Sequence, residues 1–168
     1  RWRADYLTSS YEDHRAFYDD VAIRYPKQQH FTFDTVRAFF DYLTTLKIPK
    51  GRARVIELGG WKGELAAETL PWYPWVCRWL NVEITTAALT ESACRHGAYS
   101  VKVLSDYLWN VAYIDLSKHS IFVGSHVIEH MKAAELRKLL HRLSAVKYCY
   151  IEAPLLGCGT HIDWTGYL

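Results

Sequence analysis

The chain has 168 residues, half of them hydrophobic and 15% aromatic, which is one domain's worth of sequence and enough to bury a core without staples. That composition excludes a disordered tail, a collagen-like repeat and a low-complexity array. Twenty Lys and Arg stand against eighteen Asp and Glu, and they are too balanced and too scattered to mark a nucleic-acid surface.

The four cysteines, Cys77, Cys94, Cys149 and Cys158, form no C-x-x-C pair. A zinc knuckle or a thioredoxin-type motif is therefore not expected, and reduced thiols in a cytoplasm are. No run of about 18 apolar residues is present, so no membrane-spanning helix is expected. Arg1 to Asp5 leads into no apolar stretch that would read as a signal peptide. The chain begins at Arg1 and its single methionine is Met131, so a processed or trimmed N-terminus is expected.

Residues 1–50 read as a helical segment. Tyr11 to Tyr25 places Phe17, Val21 and Ala22 near one face before Pro26. Phe33, Val36, Phe39, Phe40, Leu43 and Leu46 then recur at spacings of 3 and 4, an amphipathic helix that Thr32 or Asp34 can cap and Pro49-Lys50-Gly51 ends. From residue 51 the texture changes. Arg54 to Leu58 is a short β-rich run, followed by Gly59-Gly60-Trp61-Lys62-Gly63 and a helix over Glu64 to Leu70. Pro71 to Pro74 is a turn, and Val76 to Ile84 is a second strand. A helix is expected over Thr86 to His96, a third strand over Tyr99 to Leu104 and a fourth over Ile121 to Gly124. Val127 to Ala145 reads as one long amphipathic helix, and Tyr148 to Ile151 as a fifth strand. Strands alternating with helices predict a parallel α/β sheet with crossovers, the core occupying residues 51–168.

The chemistry concentrates at the loop of residues 59–63, which joins a strand to a helix. Free N–H groups and absent side chains let a ligand approach there, at the edge where doubly wound sheets bind ligands. A dinucleotide fingerprint fails, because its second and third glycines would fall on Trp61 and Glu64. A P-loop fails as well, because Gly63 is followed by Glu64-Leu65. What remains is Glu57-x-Gly59-x-x-x-Gly63. It resembles motif I of the class I S-adenosylmethionine-dependent methyltransferases, with Trp61 in place of the middle glycine, a departure that narrows the pocket.

Three further matches accompany it. Asn81-Val82-Glu83-Ile84 ends the second strand with a carboxylate, twenty residues after Gly63, and a carboxylate there can accept hydrogen bonds from two ribose hydroxyls. Leu104-Ser105-Asp106-Tyr107 ends the third strand where that family has a polar residue near the adenine. Ser125-His126-Val127-Ile128-Glu129-His130-Met131 resembles the segment that follows the fourth strand in small-molecule methyltransferases.

The resemblance covers about residues 52–154. It implies a Rossmann-like, doubly wound, mostly parallel sheet, an S-adenosylmethionine cofactor and a small-molecule acceptor. By the same resemblance Gly59, Gly60, Trp61 and Gly63 would contact the methionine part. Glu83 would hold the ribose, Asp106 and Tyr107 the adenine, with Glu57, Ile84 and Ser125 also on the cofactor side. His126, Glu129 and His130 would stand beside the sulfonium as catalytic candidates. The family's usual sheet has seven strands. Only Leu155 to Leu168 follows the fifth strand here, so either a chain truncated at its C-terminus or a member reduced to five strands is expected.

Other readings compete. A methyltransferase-like domain that binds without catalysis fits the irregular loop. His126-x-x-Glu129-His130 also fits the H-x-x-E-H zinc hydrolase pattern, but it follows a strand end instead of lying within a helix. Cys158, His161 and Asp163 would make half a metal site, so no metal is expected. Trp72, Trp75 and Trp79 cluster by the second strand, as core packing or, where exposed, as a contact between copies in a homo-oligomer.

Overall fold

A computed structural model describes residues 10–24, 33–85, 101–105, 120–131 and 133–153. Helix α1 spans Tyr11–Arg24 and α2 spans Phe33–Thr45. Strand β1 (Ala53–Leu58), helix α3 (Glu64–Thr69) and strand β2 (Val76–Glu83) follow. Then come β3 (Val101–Ser105), β4 (Ile121–Ser125), α4 (Ala133–Arg142) and β5 (Tyr148–Glu152). The expected helix over 86–96, Asp106, Tyr107 and the tail from 154 lie outside the described residues, as does the side chain of His130.

The five strands form one sheet in the order β3-β2-β1-β4-β5, and every pairing is parallel. The order reverses at β1. The chain runs outward through β2 and β3, then returns to lay β4 on the other edge of β1. This is the doubly wound arrangement, and it opens a crevice at the carboxyl ends of β1 and β4.

The sequence of β1 suits its central place. Val55 is buried on one face and Ile56 and Leu58 on the other, as a parallel strand covered on both sides requires. On the first face α2 lays down Val36, Phe40 and Leu43. Phe40 stacks on Trp75 and Trp79 with ring centroids 5.6 and 5.9 Å apart, worth about 0.5–1.5 kcal/mol per pair beyond buried area. Two polar tips anchor the same helix. The Tyr73 hydroxyl donates to Asp41 Oδ1 at 2.8 Å, and Trp75 Nε1 donates to Thr44 Oγ1 at 3.1 Å. On the opposite face Met131, Leu136 and Leu139 cover Ile56, Leu58 and Phe122. Of the tryptophan cluster, Trp75 and Trp79 are core residues and Trp72 is 69% exposed.

Two expectations need correction. Residues 127–145 are not one helix. His126 is left-handed (φ +52°), Ile128–His130 is a single 3-10 turn, and Met131 is extended. The α-helix begins only at Ala133, and Leu143–Ala145 is again a 3-10 turn. Apolar spacing reported the buried face correctly but could not sense the backbone reversal at His126. In α1, of the expected face Ala22 is buried while Phe17 is exposed. Ser10 caps that helix: its hydroxyl accepts the Asp13 N–H at 3.2 Å, and the Asp13 carboxylate takes the Ser10 N–H at 2.9 Å.

Candidate functional site

The sheet brings two groups of candidate residues to its carboxyl edge. The first surrounds β1 and β2. Gly59 continues the β1 pairing, its N–H donating to the Val82 carbonyl at 2.8 Å, and then turns at φ +66°. A side chain at Gly59 would stand 2.7 Å from Val127 Cγ2. The loop after β1 and the loop after β4 therefore meet at the crevice, and only a glycine leaves room there.

Trp61 is also left-handed (φ +46°), which costs a non-glycine residue roughly 1–2 kcal/mol. Three contacts hold it so. Its N–H donates to Glu83 Oε2 at 2.9 Å, and its carbonyl accepts from Asn81 Nδ2 at 3.2 Å. Its ring is 5% exposed and packs with Ala22, Tyr18 and Val21 of α1. The residue that departs from the methyltransferase pattern is thus the link between the glycine loop and the N-terminal helix.

Glu83 ends β2 with its side chain buried. Oε1 accepts the N–H groups of Ile84 at 2.7 Å and Thr85 at 3.3 Å, while Oε2 accepts that of Trp61. Burial pushes its carboxyl above the ordinary range, and the three N–H donors oppose that shift. Glu57 lies on the same face of β1. Its Oε2 accepts the Trp79 indole N–H at 2.8 Å. Burial pushes it up to about 8, with Glu64 and Glu83 adding repulsion and the indole N–H working against it.

The second group surrounds β4 and β5. Ser125 Oγ donates to Glu152 Oε2 at 3.2 Å, and the same oxygen receives the Tyr150 hydroxyl at 2.7 Å. Tyr150 also reaches Thr35 of α2 at 2.8 Å. The His126 N–H donates to the Glu152 carbonyl at 2.9 Å. His126 Nδ1 stands 3.6 Å from Glu129 Oε1, beyond a good hydrogen bond. Glu129 is buried, and burial, with the nearby Glu152 charge, pushes it up to about 7.

The structure thus gathers Glu57, Gly59, Gly60, Trp61, Gly63, Glu83 and Ile84 at β1–β2, and Ser125, His126 and Glu129 at β4. The sequence reading missed Asn81, Tyr150 and Glu152. Two signals were available. Asn81 is a polar residue inside an apolar strand, and β5 ends on a glutamate just as β2 does. The zinc pattern loses its premise, because the backbone from His126 to His130 is not an α-helix that would set both histidines on one face. Among the described residues no three His, Cys, Asp or Glu side chains converge as a metal site.

The residues fit an adenosine-type cofactor at two points. A carboxylate closes β2 beside the glycine loop, and its four lone-pair directions exceed the three N–H groups it accepts. The buried Trp61 Nε1 has no hydrogen-bond partner, so the loop holds a donor in reserve.

Similar folds are found among solved structures. The bifunctional kinase-methyltransferase WbdD superposes with a TM-score of 0.63 at 15% identity, over 77% of this chain and 30% of its own. Phosphoethanolamine N-methyltransferase 1 of Haemonchus contortus, bound to phosphoethanolamine and S-adenosylhomocysteine, gives 0.57 at 11% identity, over 85% and 30%. The methyltransferase domain of bacterial CtHen1 gives 0.53 at 15%, over 71% and 66%. The chain has the class I methyltransferase fold. It spans about a third of the length of the first of these relatives. No protein-family model matches the sequence, and no curated protein does.

Proposed function

We propose that the chain binds S-adenosylmethionine over the carboxyl ends of β1 and β2 and transfers its methyl group to a small-molecule acceptor over β4 and β5. The observation that carries this reading is the buried Glu83 carboxylate, held 2.9 Å from the loop N–H of Trp61 at the end of β2. A fixed acceptor for ribose hydroxyls beside a glycine loop suits a nucleoside and not a phosphate, which would be repelled there.

The cofactor supplies a methyl group on a cationic sulfur, an electrophile that needs no covalent help from the protein. The work left to the chain is to orient and to manage a proton. Holding the reactants in line can contribute about 7–11 kcal/mol in well-oriented systems. Glu83 and the loop fix one partner. On the other side, Glu129, pushed up to about 7 by burial, can hold or release a proton near neutral pH, and the His126 ring stands 3.6 Å from it. The acceptor, the atom methylated and a cytoplasmic setting belong to this proposal. Among the described residues no helix is long and apolar enough to cross a membrane.

Calorimetry with S-adenosylmethionine tests the reading. Glu83→Ala should weaken binding by about 1–3 kcal/mol, the cost of hydroxyls left unpaired, with a parallel denaturation curve to separate affinity from fold. Unchanged affinity refutes the site. A second reading, binding without transfer, draws on Trp61, which roofs the loop beneath α1. Binding with no methyl transfer to amine, hydroxyl or carbon acceptors would favour it.

A further inference from the structure

Glu57 and Asn81 are direct partners across β1 and β2. Both side chains are buried, Asn81 completely. A Cβ at Gly60 would stand 2.6 Å from Glu57 Oε2 and closer still to Asn81 Oδ1, so the two oxygens crowd one point beneath the loop. The amide cannot be turned round, because Asn81 Nδ2 must face the Trp61 carbonyl that it donates to. Asn81 Oδ1 therefore lies on the side of the amide away from that carbonyl, near the same point as Glu57 Oε2, and it is buried with no hydrogen-bond partner. A buried amide oxygen without a donor is costly, as are two oxygens in contact without a proton between them.

Burial raises the neighbouring Glu83 carboxyl as well, and hydrogen bonding separates the two. Glu83 accepts three backbone N–H groups, which favour its charged form, whereas Glu57 accepts one indole N–H. With fewer N–H donors on its oxygens, Glu57 is the better placed of the two to donate a proton of its own.

We propose that Glu57 is a positioning residue: as the neutral acid it donates its proton to Asn81 Oδ1, and the amide so oriented holds Trp61, whose N–H fixes Glu83. The relay runs from Glu57 to Asn81, from Asn81 to the Trp61 carbonyl, and from the Trp61 N–H to Glu83. It places the acid of β1 behind the ribose-binding role proposed for Glu83, and it rests on that reading for its link to the cofactor. The charged groups facing the pair are Glu83 on β2 and Glu64 on α3, with Asp19 of α1 acting on Glu83. Lys62 is also buried in the loop.

The test uses the whole chain and two readouts. Without cofactor, the Trp61 backbone amide shift is followed by NMR from pH 6 to 9.5 beside the Glu57 carboxyl carbon. The two should titrate together, above the ordinary carboxylate range, and in Glu57→Gln, which keeps a donor toward Asn81, the amide should lose the step that follows the Glu57 carboxyl. With S-adenosylhomocysteine, wild-type affinity should fall about tenfold per pH unit once Glu57 ionises, as linkage to one proton requires. Glu57→Gln should lose this pH dependence. A Glu57 carboxyl that titrates in the ordinary range, or a Trp61 amide indifferent to it, overturns the relay even if the cofactor binds. A cofactor profile identical in wild type and Glu57→Gln also overturns it. If no variant binds S-adenosylhomocysteine at any pH while the coupled NMR titration is seen, the functional reading falls and the relay stands. Should Glu57→Gln not fold, the wild-type titration decides.

Discussion

The two halves of the carboxyl edge are built on opposite principles. At β1–β2 the polar groups are buried, paired through strand register and tied to backbone: Glu57 opposite Asn81, Glu83 on three N–H groups. At β4–β5 three hydroxyls and one carboxyl meet through side-chain tips, half-buried at Ser125, Tyr150 and Glu152 and exposed at Thr35. Backbone-held groups change only if the strand changes. Side-chain tips change with one substitution and leave the sheet intact. Under the proposed function, the first half would suit a ligand that does not vary and the second a ligand that does.

The largest expected effect separates the halves by pH. Glu57 is raised to about 8 and Glu129 to about 7, so the folded state keeps protons that the unfolded chain releases above about pH 4.5. The contribution of each is full below that pH, declines by up to roughly 1.4 kcal/mol per unit as pH rises, and levels off above the folded value. Denaturation curves should show Glu129→Gln removing the slope that ends near pH 7 and Glu57→Gln the slope that ends near pH 8. Equal slopes in all variants would erase the distinction.

Next in size is Gly60→Ala. Its methyl would enter the space of Asn81 Oδ1 and Glu57 Oε2, both pinned, and should cost about 2–3 kcal/mol by chemical denaturation. Gly51→Ala is the control. It carries a positive φ but meets nothing within 4 Å, so about 1 kcal/mol is expected. The smallest effect is at β5. Tyr150→Phe removes a part-exposed hydroxyl from Glu152 and Thr35 and should cost about 1 kcal/mol. Cofactor affinity should not change by calorimetry; a clear loss would join the two halves.

Much of the fold was legible in local pattern. All five strands fall where β-rich runs bounded by turns predict them, because β-branched residues with glycine and proline punctuation report short-range backbone preference. The glycine loop and Glu83 were legible for the same reason, each lying next to a strand end. What stayed hidden depends on pairing between strands. Asn81 gains meaning only from the register that sets it against Glu57, and Glu152 only from lying beside Ser125 on β4. Trp61 looked like a defect in a motif. Its tolerance comes from α1, a helix nearly forty residues earlier, which no local window contains. His126 illustrates the converse, since apolar spacing runs smoothly through a backbone reversal that interrupts the helix.

The position of β1 also orders events in time. One edge pairs with β2, which follows directly, but the other waits for β4, beginning at Ile121. During synthesis the strand therefore keeps an unpaired apolar edge while some sixty further residues are made, and such an edge is a template for wrong partners. Long-range parallel pairing is also slow to form. The turn at Gly59 is packed only when Val127 arrives against it. The loop that looks most autonomous in the sequence is thus among the last parts of the chain to take its shape, and a nascent protein stalled before β4 would hold the residues of the first half without their geometry.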